Sequence, residues 1–256
     1  MENQSPAAAY DPLAPHYEAF VGAPRYAEWV AALLQLAADH GLTGGRALDV
    51  GCGTGRSLQA LLAAGFDAAG CDPSPAMLRE ARAQLAADVQ LGASTLPEPL
   101  PTGPAVDLIT AINDVINYVE PSALEAAFAQ IAARLRPGGV FLFDANTART
   151  FTSFFGASFC RDAGSRFFVW ESLPADGPTH AADLHAFVAD PSAPGCWTRS
   201  VSRHVQHHHR HVGVRAALAA TGFDLLAVHG QREDGGIDGD ADDAVHTKRI
   251  YLAALR

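Results

Sequence analysis

The chain has 256 residues, with 18 lysines and arginines against 28 aspartates and glutamates and a formal net charge of -10. Hydrophobic residues make up 48% of it, which excludes a disordered or charge-dominated chain and suffices for one large domain or two small ones. Lys248 is the single lysine and the arginines are scattered, so there is no basic stripe for a phosphate backbone and nucleic acid is not an expected partner.

Met1 to Pro15 is polar and Ala/Pro-rich, unlike a signal peptide, and Trp29 to Ala38 is about half the roughly 20 residues of a spanning helix. Cys52, Cys71, Cys160 and Cys196 are far apart with no CxxC pair, as in a cytoplasmic protein with reduced, mostly buried thiols. The expectation is a cytoplasmic chain with no membrane partner.

In chain order, a helical leader over 1–40 precedes RALDVG (46–51), a short β-type run that ends in glycine. RSLQALLAA (56–64) carries leucines at helical spacing, and FDAAGCD (66–72) is the next strand. Pro73-Ser74-Pro75 punctuates the entry to a helix over 76–87, and DVQLG (88–92) is the third strand. VDLITAI (106–112) is the fourth strand, LEAAFAQIAARL (124–135) a helix, and Pro137-Gly138-Gly139 the turn into VFLFDA (140–145). Strands separated by helices predict a mainly parallel sheet covered on both faces.

After Asn146 the helical period disappears. Residues 166–173, 180–189 and 196–206 alternate or are β-rich, which predicts a small antiparallel sheet inserted over 147–211 as a lid. Helix returns at 212–221, followed by β runs at 224–230 and 247–255. The acidic, Gly-rich stretch between them, Glu233 to Asp243, reads as an exposed hairpin loop. The core is thus expected over 41–146 and 212–256.

Two local patterns point to chemistry. Leu48-Asp49-Val50-Gly51-Cys52-Gly53-Thr54-Gly55 joins the first strand to the first helix, where glycines let a ligand approach the backbone. A dinucleotide GxGxxG needs a small residue at position 56, where this chain has Arg56. Asp49 disfavours a pyrophosphate and suits a ligand bearing ammonium and sulfonium groups. Asp72 lies 21 residues after Gly51 at the end of the second strand, where a carboxylate accepts both hydroxyls of a ribose. Capping of the next helix is its alternative role.

LDVGCGTGRS (48–57), GCDPSPAML (70–78) and LRPGGVFLFD (135–144), in this order, resemble the class I methyltransferases that use S-adenosylmethionine. The resemblance implies a doubly wound, Rossmann-like α/β fold with a seven-stranded, mainly parallel sheet whose last strand, 247–255, runs antiparallel. It implies that Asp49, Gly51, Gly53 and Gly55 contact the methionyl part. By the same resemblance Asp72 holds the ribose with Pro73 beside it, and Met77 matches a position that often packs on adenine, although it also fits an ordinary core position. Many relatives carry an acid after the third strand. Here Gly92-Ala93-Ser94-Thr95 has none, so backbone at Gly92 and Ala93 or the Ser94 hydroxyl serves the adenine.

On the acceptor side, Asn113 is expected beside the cofactor, with Asp114, Asn117 or Tyr118 orienting the acceptor. Capping and packing is the alternative for Asn117 and Tyr118. Asp144 and Asn146 end the fifth strand facing the crevice. Tyr10 and Tyr17 resemble the aromatic lid of small-molecule methyltransferases, or pack the leader on the core.

His204, His207, His208, His209 and His211 form a cluster without the carboxylate or Cys spacing of a metal site. They read as a solvated turn that supplies an active-site base from His207, His208 or His209, with Asp114 as the other candidate. Trp170, Trp197 and Arg199 are expected in the acceptor lining.

The function implied is methyl transfer to nitrogen or oxygen of a small molecule, such as a secondary metabolite of the antibiotic type or an amino sugar. The expected assembly is a monomer or homodimer with no metal. A non-catalytic S-adenosylmethionine sensor or assembly subunit and an NAD(P)-binding oxidoreductase are the rivals.

Overall fold

Apolar runs that alternate with Ala/Leu-rich helices can satisfy both partners only when the strands lie parallel and the helices cover their faces. The computed structural model describes residues 5–22 and 25–256. Its leader is helical: α1 (Pro6–Tyr10), α2 (Tyr17–Val21) and α3 (Tyr26–Asp39). The core then runs through β1 (Gly45–Val50), α4 (Arg56–Ala63), β2 (Phe66–Asp72), α5 (Pro75–Gln84) and β3 (Leu91–Ala93). It continues with β4 (Val106–Ala111), α6 (Leu124–Arg134) and β5 (Leu135–Asn146). A helical turn, α7 (Ala148–Thr150), precedes β6 (Phe159–Asp162), β7 (Arg166–Ser172), β8 (Thr179–Ala189) and β9 (Trp197–His207). The chain ends with α8 (His211–Ala220), β10 (Phe223–Gln231), β11 (Ile237–Asp238) and β12 (Lys248–Leu255).

The main sheet has the order β11-β10-β12-β5-β4-β1-β2-β3. β1, β2, β3, β4 and β5 pair in parallel, and β12 pairs antiparallel with both β5 and β10. The expected α/β doubly wound class holds, and the strand order reverses between β1 and β4. A crevice opens at the carboxyl ends of those two strands.

Two expectations need correction. The sheet has eight strands rather than seven, because Ile237–Asp238 pairs with Gly230–Gln231 inside the stretch read as a loop. Arg232 and His246 both reach the Asp238 carboxylate, His246 at 2.9 Å, and close this hairpin. Two residues are too short to leave a periodic signal. Second, Pro137-Gly138-Gly139 lies within β5, at a register shift against β4, and is not a separate turn.

Side chains alternate faithfully along the central strands. Phe141, Phe143, Tyr251 and Ala253 face α6 and α8, whereas Val140, Leu142, Ile250 and Leu252 face α3 and α4. The rings of Phe141, Phe143 and Tyr251 stack at 4.3 and 4.8 Å. Burying each such ring is worth about 1.5–3 kcal/mol, so this stack anchors the sheet that carries the crevice.

The second sheet has the order β6-β7-β8-β9, antiparallel throughout. Its inner face, with Phe168, Trp170, Ala182, Leu184 and Ala186, packs against Leu13 of the leader and Phe151 and Phe155 after β5. Cys52 and Cys71 are buried, but Cys160 and Cys196 are exposed, so only half of the thiols follow the expected burial. No helix among the described residues is long and apolar enough to cross a membrane.

Candidate functional site

The β1–α4 loop turns on glycines in the left-handed region. Gly53 has φ +53° and nothing within 4 Å of where a Cβ would sit, because that direction opens into a cavity. Gly51 also lines the cavity, whereas Gly55 starts α4 and faces the side chains of Ala81 and Leu85. The cavity, about 900 Å³ including its open mouth, reaches across the ends of β1, β2 and β4 and is bounded by Asp72, Met77, Asn113 and Val115.

Two buried carboxylates underlie it. Asp49 accepts hydrogen bonds from the Ser57 and Thr110 hydroxyls, the latter at 2.6 Å, and does not line the cavity. Burial pushes it up to about 6, outweighing the two hydroxyl donors, and Asp72 pushes in the same direction. Asp49 therefore supports the loop from beneath, with each of its oxygens accepting one hydroxyl.

Asp72 does line the cavity. It accepts the Gly53 and Ser74 backbone N–H groups, each at 2.9 Å, so one side chain fixes the glycine loop and the start of α5. Burial pushes it up to about 6 against these two donors. A carboxylate has about four acceptor positions, so Asp72 keeps capacity for a diol.

Pro73, Met77, Ser94, Thr95 and Leu96 complete this wall. Met77 is 2% exposed and packs with Ala14 and Ala76, so it serves the core and the cavity together. Ala93 is paired to Asp72 in the sheet and does not line the cavity, and the Ser94 hydroxyl donates to the Pro99 carbonyl at 3.0 Å.

The leader closes the cavity with Tyr10, Tyr17 and Val21. Asp11 accepts the Ser74 hydroxyl at 2.6 Å and the Ala76 N–H at 3.2 Å. Glu18 accepts the Thr54 hydroxyl at 2.6 Å and pairs with Arg56 at 3.1 Å. Arg56 also lies over the Tyr26 ring, 4.4 Å from its centroid. The position that a dinucleotide loop keeps small is thus filled by a large ion-paired side chain.

A second cavity, about 770 Å³ including its mouth, shares Tyr10, Tyr17, Val21, Asn113 and Tyr118 with the first. Its own lining includes Phe20, Asp114, Arg161, Trp170, His204 and Gln206. Asn113 and Asp114 have φ of 64° and 63°, a conformation that non-glycine residues adopt at a cost of about 1–3 kcal/mol each. Asp144 offsets that cost by accepting both backbone N–H groups, Asp114 at 3.1 Å. Burial pushes Asp114 up from the usual carboxylate range, opposed chiefly by Lys248 at 3.2 Å.

Hydroxyls run from this shared wall toward β9. Tyr10 and Tyr118 share a hydrogen bond of 2.8 Å, Tyr118 meets His204 Nδ1 at 3.1 Å, and His204 Nε2 meets Ser202 at 3.2 Å. Burial pushes His204 down to about 4, so its imidazole is neutral at pH 7.

His207, His208 and His209 line neither cavity. His207 meets Thr179 at 3.1 Å, His208 lies edge-on to the Phe151 ring, and His209 Nε2 meets the Ile116 carbonyl at 3.0 Å. His204, His207 and His209 are buried, so the solvated turn is corrected as well. Alternation along β9 explains the difference, because Ser202, His204 and Gln206 share its inward face. That pattern was readable in the sequence, whereas nothing there marked Gln206, Arg161 or Lys248 as neighbours of Asp114 or its cavity.

Trp170 lines the second cavity, but Trp197 and Arg199 are exposed and do not. Asn117, Asp144 and Asn146 also stay out of both linings. Asn117 donates to the His207 carbonyl at 2.8 Å and accepts the Asn146 N–H at 2.8 Å, which makes it a brace. Among the described residues no group of three or more His, Cys, Asp or Glu side chains is arranged for a metal ion.

The resemblance of the sequence motifs implies S-adenosylmethionine as methyl donor, and the residues present fit it. Open space at Gly53, a buried carboxylate with spare acceptor capacity at Asp72 and aromatic rings at Tyr10 and Tyr17 match its backbone-facing, ribose and sulfonium parts.

Residues 47–139 match the family model described as a methyltransferase domain. A putative methyltransferase of a Geobacillus species is 26% identical over 225 residues, covering 86% of this chain and 90% of that protein. The crystal structure of an S-adenosylmethionine-dependent methyltransferase from Clostridium acetobutylicum superposes with a TM-score of 0.81 at 22% identity, covering 96% of this chain and 98% of that one. A sugar N-methyltransferase from a Streptoalloteichus species gives 0.73 at 21% identity, covering 100% and 96%. Residues 47–139 thus match a methyltransferase domain, and the chain as a whole has the Rossmann-like fold of these S-adenosylmethionine-dependent methyltransferases.

Proposed function

We propose that this enzyme methylates a nitrogen or oxygen of a small molecule, with an amino sugar or related secondary metabolite as the favoured acceptor class, in the cytoplasm. The observation that carries this reading is the wall common to the two cavities, where Tyr10, Tyr17, Asn113 and Tyr118 face both. One cavity suits the donor, and the adjoining one is mostly aromatic with a carboxylate, the lining of a pocket for a small cationic molecule. Similarity to a sugar N-methyltransferase supports the same class.

The donor supplies an activated methyl group, so the protein's task is alignment and exclusion of water. The leader and the inserted sheet act as the two covers. Asp114 attracts an amine to the junction, and Tyr17 and Asn113, bonded at 3.2 Å, hold the methyl-side wall. An acceptor that loses a proton on methylation passes it to Tyr118 while Tyr118 gives its own proton to neutral His204. The base role expected of His207–His209 moves to His204 on this reading.

His204→Gln and Tyr118→Phe test it. Each is expected to lower kcat by roughly 10²-fold, the usual worth of a general base. Calorimetry with S-adenosylhomocysteine should give Kd values within about threefold of the unmodified enzyme, a change below ~0.7 kcal/mol. Full turnover in both variants sinks the relay.

A further inference from the structure

Lys248 is the only lysine in the chain, although the sequence uses arginine at every other fixed-cation position. It sits at the start of β12, and its side chain is 13% exposed. Its ammonium reaches Asp144 at 2.6 Å, Asp114 at 3.2 Å and the Asn113 side-chain oxygen at 3.5 Å. From α3, the Trp29 ring covers it at 5.7 Å. On the far side Gln206 of β9 donates to Asp114, and Asn146 donates to Gln206 at 2.9 Å. The Tyr10, Tyr17 and Tyr118 hydroxyls, the neutral His204 imidazole and the Arg161 guanidinium, which donates to the Val21 carbonyl at 3.1 Å, also face the cavity that Asp114 lines.

Three oxygens converge on one buried nitrogen. A compact ammonium with three rotatable donors matches that geometry, whereas a planar guanidinium with five does not. Asp144 is fully buried and already accepts the N–H groups of Asn113 and Asp114. Lys248 therefore neutralises the carboxylate that holds the left-handed turn, and at the same time fixes the carboxylate that the turn presents to the acceptor cavity.

We propose that Lys248 is a positioning residue for the methyl acceptor: bound to Asp144, it holds Asp114 ionised and oriented in the acceptor-cavity wall, so that the cavity selects a cationic nitrogen. This rests on the acceptor reading above. Lys248 itself lines neither cavity and acts through Asp114.

Its uniqueness gives a direct test, because protein grown on ¹⁵N-labelled lysine shows one side-chain nitrogen signal. The expected signal is an ammonium with slowly exchanging protons that stays charged beyond the ordinary lysine range and moves when Asp114→Asn is introduced. A free-lysine signal that ignores Asp114→Asn overturns the proposal with no acceptor needed. The functional arm follows methyl transfer from S-adenosylmethionine to D-glucosamine.

Lys248→Met should raise KM for the amine about tenfold and move the acidic limb of the kcat/KM profile to higher pH. Lys248→Arg should restore part of the loss, and Lys248→Met should add little to Asp114→Asn. A lysine with a merely structural role would instead lower kcat and stability and add fully to Asp114→Asn, which also overturns the proposal. If the Met variant fails to fold, the lysine signal and the Arg variant still decide. Failure of the unmodified enzyme to bind S-adenosylhomocysteine would count against the donor assignment and not against Lys248.

Discussion

The two cavities meet along one wall but are made from different kinds of chain. The donor cavity is built mainly from the loops at the ends of neighbouring parallel strands, with backbone N–H groups, glycines and the Asp72 carboxylate as its polar features. The cavity proposed for the acceptor gathers side chains from the leader, the turn after β4, the segment after β5, and strands β6, β7 and β9. A ligand common to a whole class can be read by backbone geometry that the fold itself supplies. A ligand that differs between enzymes is read by side chains on separate segments, which can change without disturbing the sheet.

The largest expected effect breaks the backbone side of this contrast. Gly53→Val places a branched side chain in a left-handed conformation and points it into the donor cavity. Affinity for S-adenosylhomocysteine should fall more than 100-fold, at least ~2.7 kcal/mol, while the circular dichroism spectrum stays that of a folded α/β protein. Binding within tenfold of the unmodified enzyme would place the donor elsewhere.

A pH titration sharpens the same contrast at smaller amplitude. Asp49 and Asp72 rise from the ordinary 3.8 to about 6 on burial. The free folded protein therefore holds protons that the unfolded chain releases between pH 3.8 and about 6. Its stability contribution from these groups is present at low pH and is lost as pH rises through about 6. Donor binding has the opposite sign, since the ribose hydroxyls favour an ionised Asp72. Below pH 6, Kd for S-adenosylhomocysteine should rise by up to about tenfold per pH unit, and above it level off. An affinity flat from pH 5 to 8 would remove Asp72 from the contact.

The same division explains what was legible in the sequence. The strands and helices of the core, the glycine loop and Asp72 each carry a local signature, either a period or a spacing, and the structure places them accordingly. For Asp49 the loop motif suggests only a ligand contact, and tertiary packing adds the Ser57 and Thr110 hydroxyls that it accepts. The acceptor side left no comparable trace. His204 meets Tyr118 across 86 residues and Lys248 meets Asp114 across 134, contacts that no local pattern encodes. The histidine run drew attention through composition, but its members divide between the inward face of β9 and positions that brace the following turn. Trp197 and Arg199 failed for a related reason, lying near the far end of a strand whose other end reaches the cavity.

The smallest expected effect concerns the leader, which with the turn after β4 belongs to both cavities. Asp11 ties it to the core through the Ser74 hydroxyl and the Ala76 N–H, both at the start of α5. Ser74 keeps its own capping bond to the Met77 N–H at 3.0 Å, so Asp11→Ala leaves the helix capped and removes only the tether. Charged-acceptor hydrogen bonds are worth about 1.5–3 kcal/mol when buried, and partial exposure here reduces that to roughly 0.5–1 kcal/mol. Tyr10 and Tyr17 still pack against Met77 and hold most of the leader in place. Kd for S-adenosylhomocysteine should therefore rise about two- to fivefold. KM for the acceptor should rise by a similar factor, because Tyr10 and Tyr17 line both cavities. Limited proteolysis should cut the leader faster in the variant, and donor should slow that cut. A change confined to one ligand would mean that the leader serves a single cavity, and an unchanged cleavage rate would mean that Asp11 is not the tether.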